Sequence, residues 1–183
     1  LDNYDLRKFF RSDTLLNELI KSQVLFNNNI SMRAIITTSS GFKNKIYKDA
    51  KIYFNFIDGK LNFNKTRLIN RKIGLVELDN SNLSYKNDKL ILNTDIILDI
   101  KNSNKLFSLL QTNKKYRKPI KDILINLDYD FLSNEINFNK IKIENQEISD
   151  ELLRIIDGFN EHEQNNWNKS KRILNNFFAI YEG

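Results

Sequence analysis

The chain has 183 residues, with no cysteine and one proline, and its 29 Lys and Arg against 23 Asp and Glu give a net charge of +6 and a pI near 9.3. The absence of cysteine excludes disulfides and thiolate chemistry. No window approaches the ~20 apolar residues of a membrane span, and no signal-peptide pattern opens the chain.

That length suits one domain over residues 1–183, able to bury about 70% of its unfolded surface. The first residue is Leu1 and not Met, so a fragment or processed product is expected, the C-terminal part of a longer chain. A positive balance suits an anionic partner, either a membrane surface or nucleic acid. Asn, Lys and Ile are all abundant, however, and all three have AT-rich codons, which discounts the charge as a signal.

In chain order, Ser12-Asp13-Thr14 offers capping side chains, and Leu15, Leu16, Leu19 and Ile20 follow at helical spacing. The spacing predicts a short amphipathic helix over Asp13–Gln23. Ile30, Met32, Ala34 and Ile36 alternate as in a strand, and Ser39-Ser40-Gly41 breaks it. A loop at Lys43–Asp49 leads into the central stretch, Lys51–Ile100. There Ile52, Phe54, Phe56, Leu61, Phe63, Leu90, Leu92, Ile96, Leu98 and Ile100 fall on alternate positions, with Asn, Lys and Asp in most gaps. This is the period-two pattern of strands with one buried and one wet face.

Asp58-Gly59 fits a two-residue type I′ hairpin turn, in which both central residues take positive φ. Asn70-Arg71 and Asn87-Asp88 mark further reversals. Between Leu78 and Leu83 the apolar phase slips, so Asp79-Asn80 is either a bulge in one long strand or a tight turn between two.

Beyond Ile100, Asn102-Ser103 can cap a helix over Ser103–Thr112 with Leu106, Leu109 and Leu110 on one side. A basic connector, Lys114-Lys115-Tyr116-Arg117-Lys118-Pro119, precedes a strand with Ile123, Ile125, Leu127, Tyr129 and Phe131 in strict alternation. Ser133-Asn134 turns, and Ile136 and Phe138 continue. Ser149 caps a helix over Ser149–Phe159, with Asp150 and Glu151 at its positive end. A last helix over Asn166–Tyr181 carries Trp167, Leu174, Phe177, Phe178 and Tyr181 on one side.

One hairpin is repeated. Gly59–Leu68 reads GKLNFNKTRL and Asn134–Ile143 reads NEINFNKIKI, each after an alternating strand and a turn. In both, the apolar phase changes after the Asn-Phe-Asn-Lys core, which predicts a bulge or bend at that point. Leu61 and Phe63 should therefore match Ile136 and Phe138 on the same side of a sheet. The expected fold is α+β: a curved antiparallel sheet of seven or eight strands, with four short amphipathic helices on one face or at the ends.

Catalytic and cofactor patterns are missing. His162 is the only histidine, in a polar stretch that favours a solvated position over a metal or triad role. Asp128 and Asp130 share a strand face, but the alternation assigns them to water instead of acid–base chemistry. No phosphate loop, GxGxxG or GxSxG is present, so neither enzyme activity nor a cofactor is expected.

The densest positive run, Lys114, Lys115, Arg117 and Lys118, is either an ordinary solvated connector, the favoured reading, or a contact with an anionic leaflet at about 1 kcal/mol per residue, an accessory contribution. As a nucleic-acid surface it lacks the accompanying motifs. The apolar sheet face is the larger resource. Phe54, Phe56, Leu61, Phe63, Ile136 and Phe138 are the candidate lining of a hydrocarbon groove, if some of that face stays uncovered. Each sheltered CH₂ contributes about 0.8 kcal/mol.

With these residues in view, Gly59–Ile100, especially LVELDNSNL and NDKLILNTDIILDI, resembles the C-terminal AsmA-like region of bacterial envelope proteins. So do Lys101–Phe131 and the DELLRIIDGF of Asp150–Phe159. The resemblance implies a non-enzymatic periplasmic module of a Gram-negative envelope, anchored to the inner membrane by an upstream segment. It implies phospholipid acyl chains as ligand, handled along an apolar β-groove, or a part in outer-membrane assembly with an envelope protein partner. A closed structural or protein-docking domain is the alternative. The family is defined by its sheet pattern, so no functional residue transfers from it.

Overall fold

A computed structural model describes residues 31–38, 47, 49–133, 135–159 and 167–181, with isolated positions 18, 22, 24, 27 and 29. The helix predicted over Asp13–Gln23 therefore lies, apart from Glu18 and Ser22, outside the described residues, and Ile30 and His162 lie outside them too.

The strands are β1 (Met32–Thr38), β2 (Asp49–Ile57), β3 (Lys60–Asn62), β4 (Thr66–Asn70), β5 (Gly74–Lys86), β6 (Lys89–Ile100), β7 (Asp122–Asp130), β8 (Glu135–Ile143) and β9 (Gln146–Glu147). They form one nine-stranded sheet in the order β1-β2-β3-β5-β6-β7-β8-β9, with β4 also between β2 and β5. Every pairing is antiparallel. The strand total exceeds the sequence expectation because the first copy of the repeat splits into β3 and β4 and a short β9 follows β8.

Tight turns set the hairpins. Asp58 and Gly59 have φ of 50° and 70°, and Asn87 and Asp88 have 53° and 57°. Both pairs meet the type I′ requirement for positive φ at two successive residues. Glu144 and Asn145, at 51° and 65°, make a third such turn, between β8 and β9. Asn70 works through its side chain instead, its Oδ1 accepting from the N–H groups of Lys72 and Ile73 at 3.0 and 3.2 Å.

Register assigns the faces. Leu83 lies opposite Leu92, Leu92 opposite Tyr129, and Tyr129 opposite Ile136; Val76, Leu98, Ile123 and Ile143 form a parallel row. Leu90, Leu92, Thr94, Ile96, Leu98 and Ile100 of β6 therefore share one face, and Ile91, Asn93, Asp95, Ile97 and Asp99 the other. One face is apolar apart from buried polar groups such as Thr66 and Thr94, and the other mixes Asn and Asp with Ile91, Ile97 and Leu124.

Three irregularities keep the first face so. Asn80 and Ser81 of β5 together face the single Thr94, a bulge that settles the ambiguity at Asp79-Asn80 in favour of one long strand. In β8, Asn139 is the extra residue opposite the Asn126–Leu127 step, as the repeat predicted. In the first copy the same place, after Phe63, is a full break with Lys65 at φ 70°. The break in β3–β4 and the bulge in β5 are neighbours and satisfy each other. Phe63 N–H donates to Ser81 Oγ at 2.6 Å, Ser81 N–H and Oγ–H donate to Asn64 Oδ1 at 2.6 and 2.8 Å, and Lys65 N–H donates to the Leu78 carbonyl at 2.9 Å. Ser81 is buried, so these bonds provide what water cannot.

The described residues hold three of the four predicted helices: α1 (Ser103–Leu110), α2 (Asp150–Asp157) and α3 (Trp167–Ile180). Asn102 caps α1 by accepting from Lys105 N–H, and Ser149 caps α2 by accepting from Leu152 N–H. Asn175 of α3 donates to the Leu110 carbonyl at 3.0 Å and accepts from Thr112 Oγ1 at 2.7 Å, so α3 closes the end of α1. All three helices feed one cluster with Ile100, Ile123, Ile141 and Ile143, in which Phe107 meets Phe178 edge-on at 5.1 Å.

Two substitutions test this construction. Gly74 has φ 155°, and a Cβ there would lie 1.9 Å from the Asp99 carbonyl oxygen. Gly74→Ala should therefore lower stability by about 3 kcal/mol in denaturant melts. Ser81→Ala removes the acceptor of Phe63 N–H and should cost about 1–3 kcal/mol.

Candidate functional site: the apolar face of the sheet

The apolar face holds two clusters at opposite ends of β6. The helix-covered one contains Leu98 and Ile100. The other contains Phe56, Leu61, Phe63, Leu83 and Leu90, with Phe54, Leu78, Tyr85, Leu92, Phe131 and Leu132 around it. No member of this second cluster belongs to a described helix. Thr94, buried between them, donates to the Asp79 carbonyl at 3.2 Å.

The six predicted groove residues divide between different roles. Phe56, Leu61 and Phe63 are only 3%, 1% and 6% exposed, so they are core and do not line an open strip, contrary to expectation. Phe56 pairs with Leu61 and Leu61 with Leu83, and with Phe63 they form one buried cluster. Phe54 is half-buried, its ring edge-on to Phe63 at 5.2 Å. Ile136 and Phe138 are half-buried as well, Phe138 beside Phe159 with ring centroids 6.3 Å apart.

Leu61 and Ile136 do share the apolar face, as the repeat predicted. Their partners differ. Leu61 pairs with Phe56 across a two-residue turn, whereas Ile136 pairs with Tyr129 across the longer 131–134 connection.

The sequence missed a row on β6–β8. Leu92, Tyr129 and Ile136 are direct cross-strand neighbours and each is half-buried, with Phe131 edge-on to Tyr129 at 4.7 Å. Alternation placed these residues on the apolar face, but only the register makes them one contiguous strip.

On the other face an amide–carboxylate network runs along the bulges. Asn80 and Asn126 both donate to Asp95 at 2.7 Å, Asn139 donates to Asn126 and Asp128 at 3.0 and 3.2 Å, and Asn93 donates to Asp128 at 2.7 Å. Asp128 is thus engaged on the polar face. Asp130 departs from its expected place in water: it is 7% exposed, and its carboxylate accepts from Leu132 N–H in the turn after β7. Among the described residues, no three His, Asp or Glu side chains come together as metal ligands.

The basic connector also divides. Lys114 and Lys115 are exposed on a single 3₁₀ turn capped by Asn113, with the Lys115 ammonium 4.5 Å from the Tyr116 ring centroid. Arg117 is half-buried and donates through Nε to the Thr112 carbonyl at 3.0 Å, so it secures the connector; Lys118 is half-buried beside it. A cavity of about 300 Å³ lined by Ile148, Leu152, Ile180 and Tyr181, among others, is separate from the strip. Burial, with the Glu144 and Asp122 carboxylates, raises the Tyr181 phenol above its ordinary value.

Comparison of the chain with protein-family models, with curated proteins and with solved structures finds no match in any of the three.

The two kinds of apolar residue should respond differently to a charge. Phe63→Asp buries an unpaired carboxylate and should lower stability by about 4 kcal/mol, enough to collapse the melting transition. Ile136→Asp, on the half-buried strip, should cost about 1–2 kcal/mol and leave the far-UV spectrum intact.

Proposed function

We propose that this chain is a non-catalytic AsmA-like envelope module that shelters phospholipid acyl chains on the half of its sheet that carries no described helix. The observation that carries this reading is a cross-strand row of partly exposed apolar residues away from the described helices. Three helices crowd one end of β6–β8, while Leu92, Tyr129 and Ile136 remain half-buried beside the other end. Bulges bend the strands that bear them. Those at Asn80–Ser81 and Asn139 lie on one cross-strand row, which favours a curved sheet.

Sheltering ten methylenes contributes about 8 kcal/mol, so a strip of this kind can hold a chain without catalytic or metal groups. The residues quoted for the AsmA-like resemblance include β6 and β7, two of the three strands that carry the strip, and leave out β8 with Ile136. With that reading go a periplasmic location and an inner-membrane anchor outside residues 1–183, and service in lipid transport or outer-membrane assembly.

A second reading, a closed structural or protein-docking domain, is favoured by the burial of Phe56, Leu61 and Phe63. Extraction of protein purified without detergent, followed by phosphate assay and mass spectrometry, separates the two. Near-stoichiometric phospholipid, reduced several-fold in Ile136→Asp, is expected. Protein that carries no lipid and takes none from vesicles contradicts the proposal and leaves the closed domain.

Membrane contact is tested on the exposed lysines. Lys114→Gln with Lys115→Gln should weaken binding to anionic vesicles at low salt and leave the melting temperature unchanged. Screening over a Debye length of about 8 Å should remove most of the difference at physiological ionic strength. Arg117→Gln should instead reduce stability by about 1–2 kcal/mol through loss of its bond to the Thr112 carbonyl.

A further inference from the structure

The two edges of the sheet are treated differently. At the β8 edge, β9 pairs with Lys142 and Ile143, Ile148 N–H bonds the Ile141 carbonyl at 3.2 Å, Asn139 bulges, and Lys140 pairs with Glu147 at 2.6 Å. Cover, bulges and charges are the usual means by which proteins stop edges from pairing. Among the described residues the β1 edge has neither cover nor a bulge. Its seven residues pair with β2 without interruption, and among the described strands it pairs with no other. It contains no proline, and its only charged residue is Arg33, which donates to Asn55 Oδ1 at 3.0 Å. Met32 and Ile35, on opposite faces, are 49% and 50% exposed.

We propose that β1 is a self-association edge, pairing antiparallel with β1 of a second copy about a two-fold axis through Ile35. The occupant follows from the sequence of the strand, which is complementary to itself in this register. Ala34 faces Ile36 of the second copy on the apolar side, Ile35 faces Ile35 on the other side, and Arg33 faces Thr37, so the one charge never meets its equivalent. A shift by one residue would set apolar positions against the wrong face, and of the registers that keep the faces only this one pairs all seven residues of the strand. A contact of this type is isologous, as two-fold dimers require. It joins the apolar faces of both copies through Met32, Ala34 and Ile36. The proposal is independent of whether hydrocarbon binds. A single short edge is a small interface, so affinity on the order of 10–100 µM is expected.

The absence of cysteine makes the test clean. Sedimentation velocity should show the whole chain dimerising with rising concentration, and Ile35→Lys should hold it monomeric with an unchanged circular dichroism spectrum. Under mild oxidation Ile35→Cys should form a disulfide-linked dimer several-fold more readily than Ala34→Cys, because only facing residues bring their Cα atoms within disulfide range. The cysteine comparison needs no disruptive substitution and stands even if the lysine variant fails to fold. A chain monomeric at several hundred micromolar overturns the proposal. A dimer in which the two cysteines cross-link equally overturns it as well.

Discussion

The constraint on which this fold depends is strand phase. In a sheet with one apolar face, a one-residue slip turns every later side chain to the wrong side. The sequence slips phase in three strands, and in each the backbone takes up the slip on the spot. Asn80–Ser81 do this in β5, Asn139 in β8, and the break after Phe63 between β3 and β4. The residues at these irregularities have in common short polar side chains that are hydrogen-bonded nearby. Ser81 and Asn64 bond each other and Phe63 N–H on one side of the sheet, and Asn80 and Asn139 enter the amide network on the other. Short polar residues suit such positions because they reach backbone groups without filling the core.

From that constraint follows the layout of the apolar face. The irregularities lie near Thr94, midway along β6, and the two hydrophobic clusters sit on either side of it. One is closed by α1–α3, with Asn175 joining α3 to the end of α1. The other is built from hairpins and turns among the described residues, and passes into the half-buried Leu92–Tyr129–Ile136 row. A rigid, helix-backed end beside a strip of partly exposed apolar surface is an arrangement that can serve binding without unfolding. The proposed acyl-chain site rests on it.

Much of this was legible in the sequence because its signals are local. Alternation located the strands, Asp58-Gly59 announced its turn, and the Asn-Phe-Asn-Lys repeat marked where β8 bulges. Three helix positions agreed to within two or three residues, with Asn102 and Ser149 as their caps. Pairing was not legible. Alternation puts Phe56, Leu61 and Phe63 on the same face as Leu92 and Ile136, but a period of two carries no information on which of them are enclosed. Asp130 looked solvent-facing for the same reason: period-two reasoning gives its face but not the turn that folds over it. The turn at Glu144-Asn145 escaped notice because glutamate is an uncommon first residue for paired positive φ.

The most direct test of the account is photo-cross-linking with a phospholipid carrying a diazirine in its acyl chain, with the adducts mapped by mass spectrometry. The account predicts labelling concentrated at Leu92, Tyr129 and Ile136, and little on the polar face at Asn93, Asp95 or Asn126. No adducts above background, or adducts spread evenly over both faces, would contradict it.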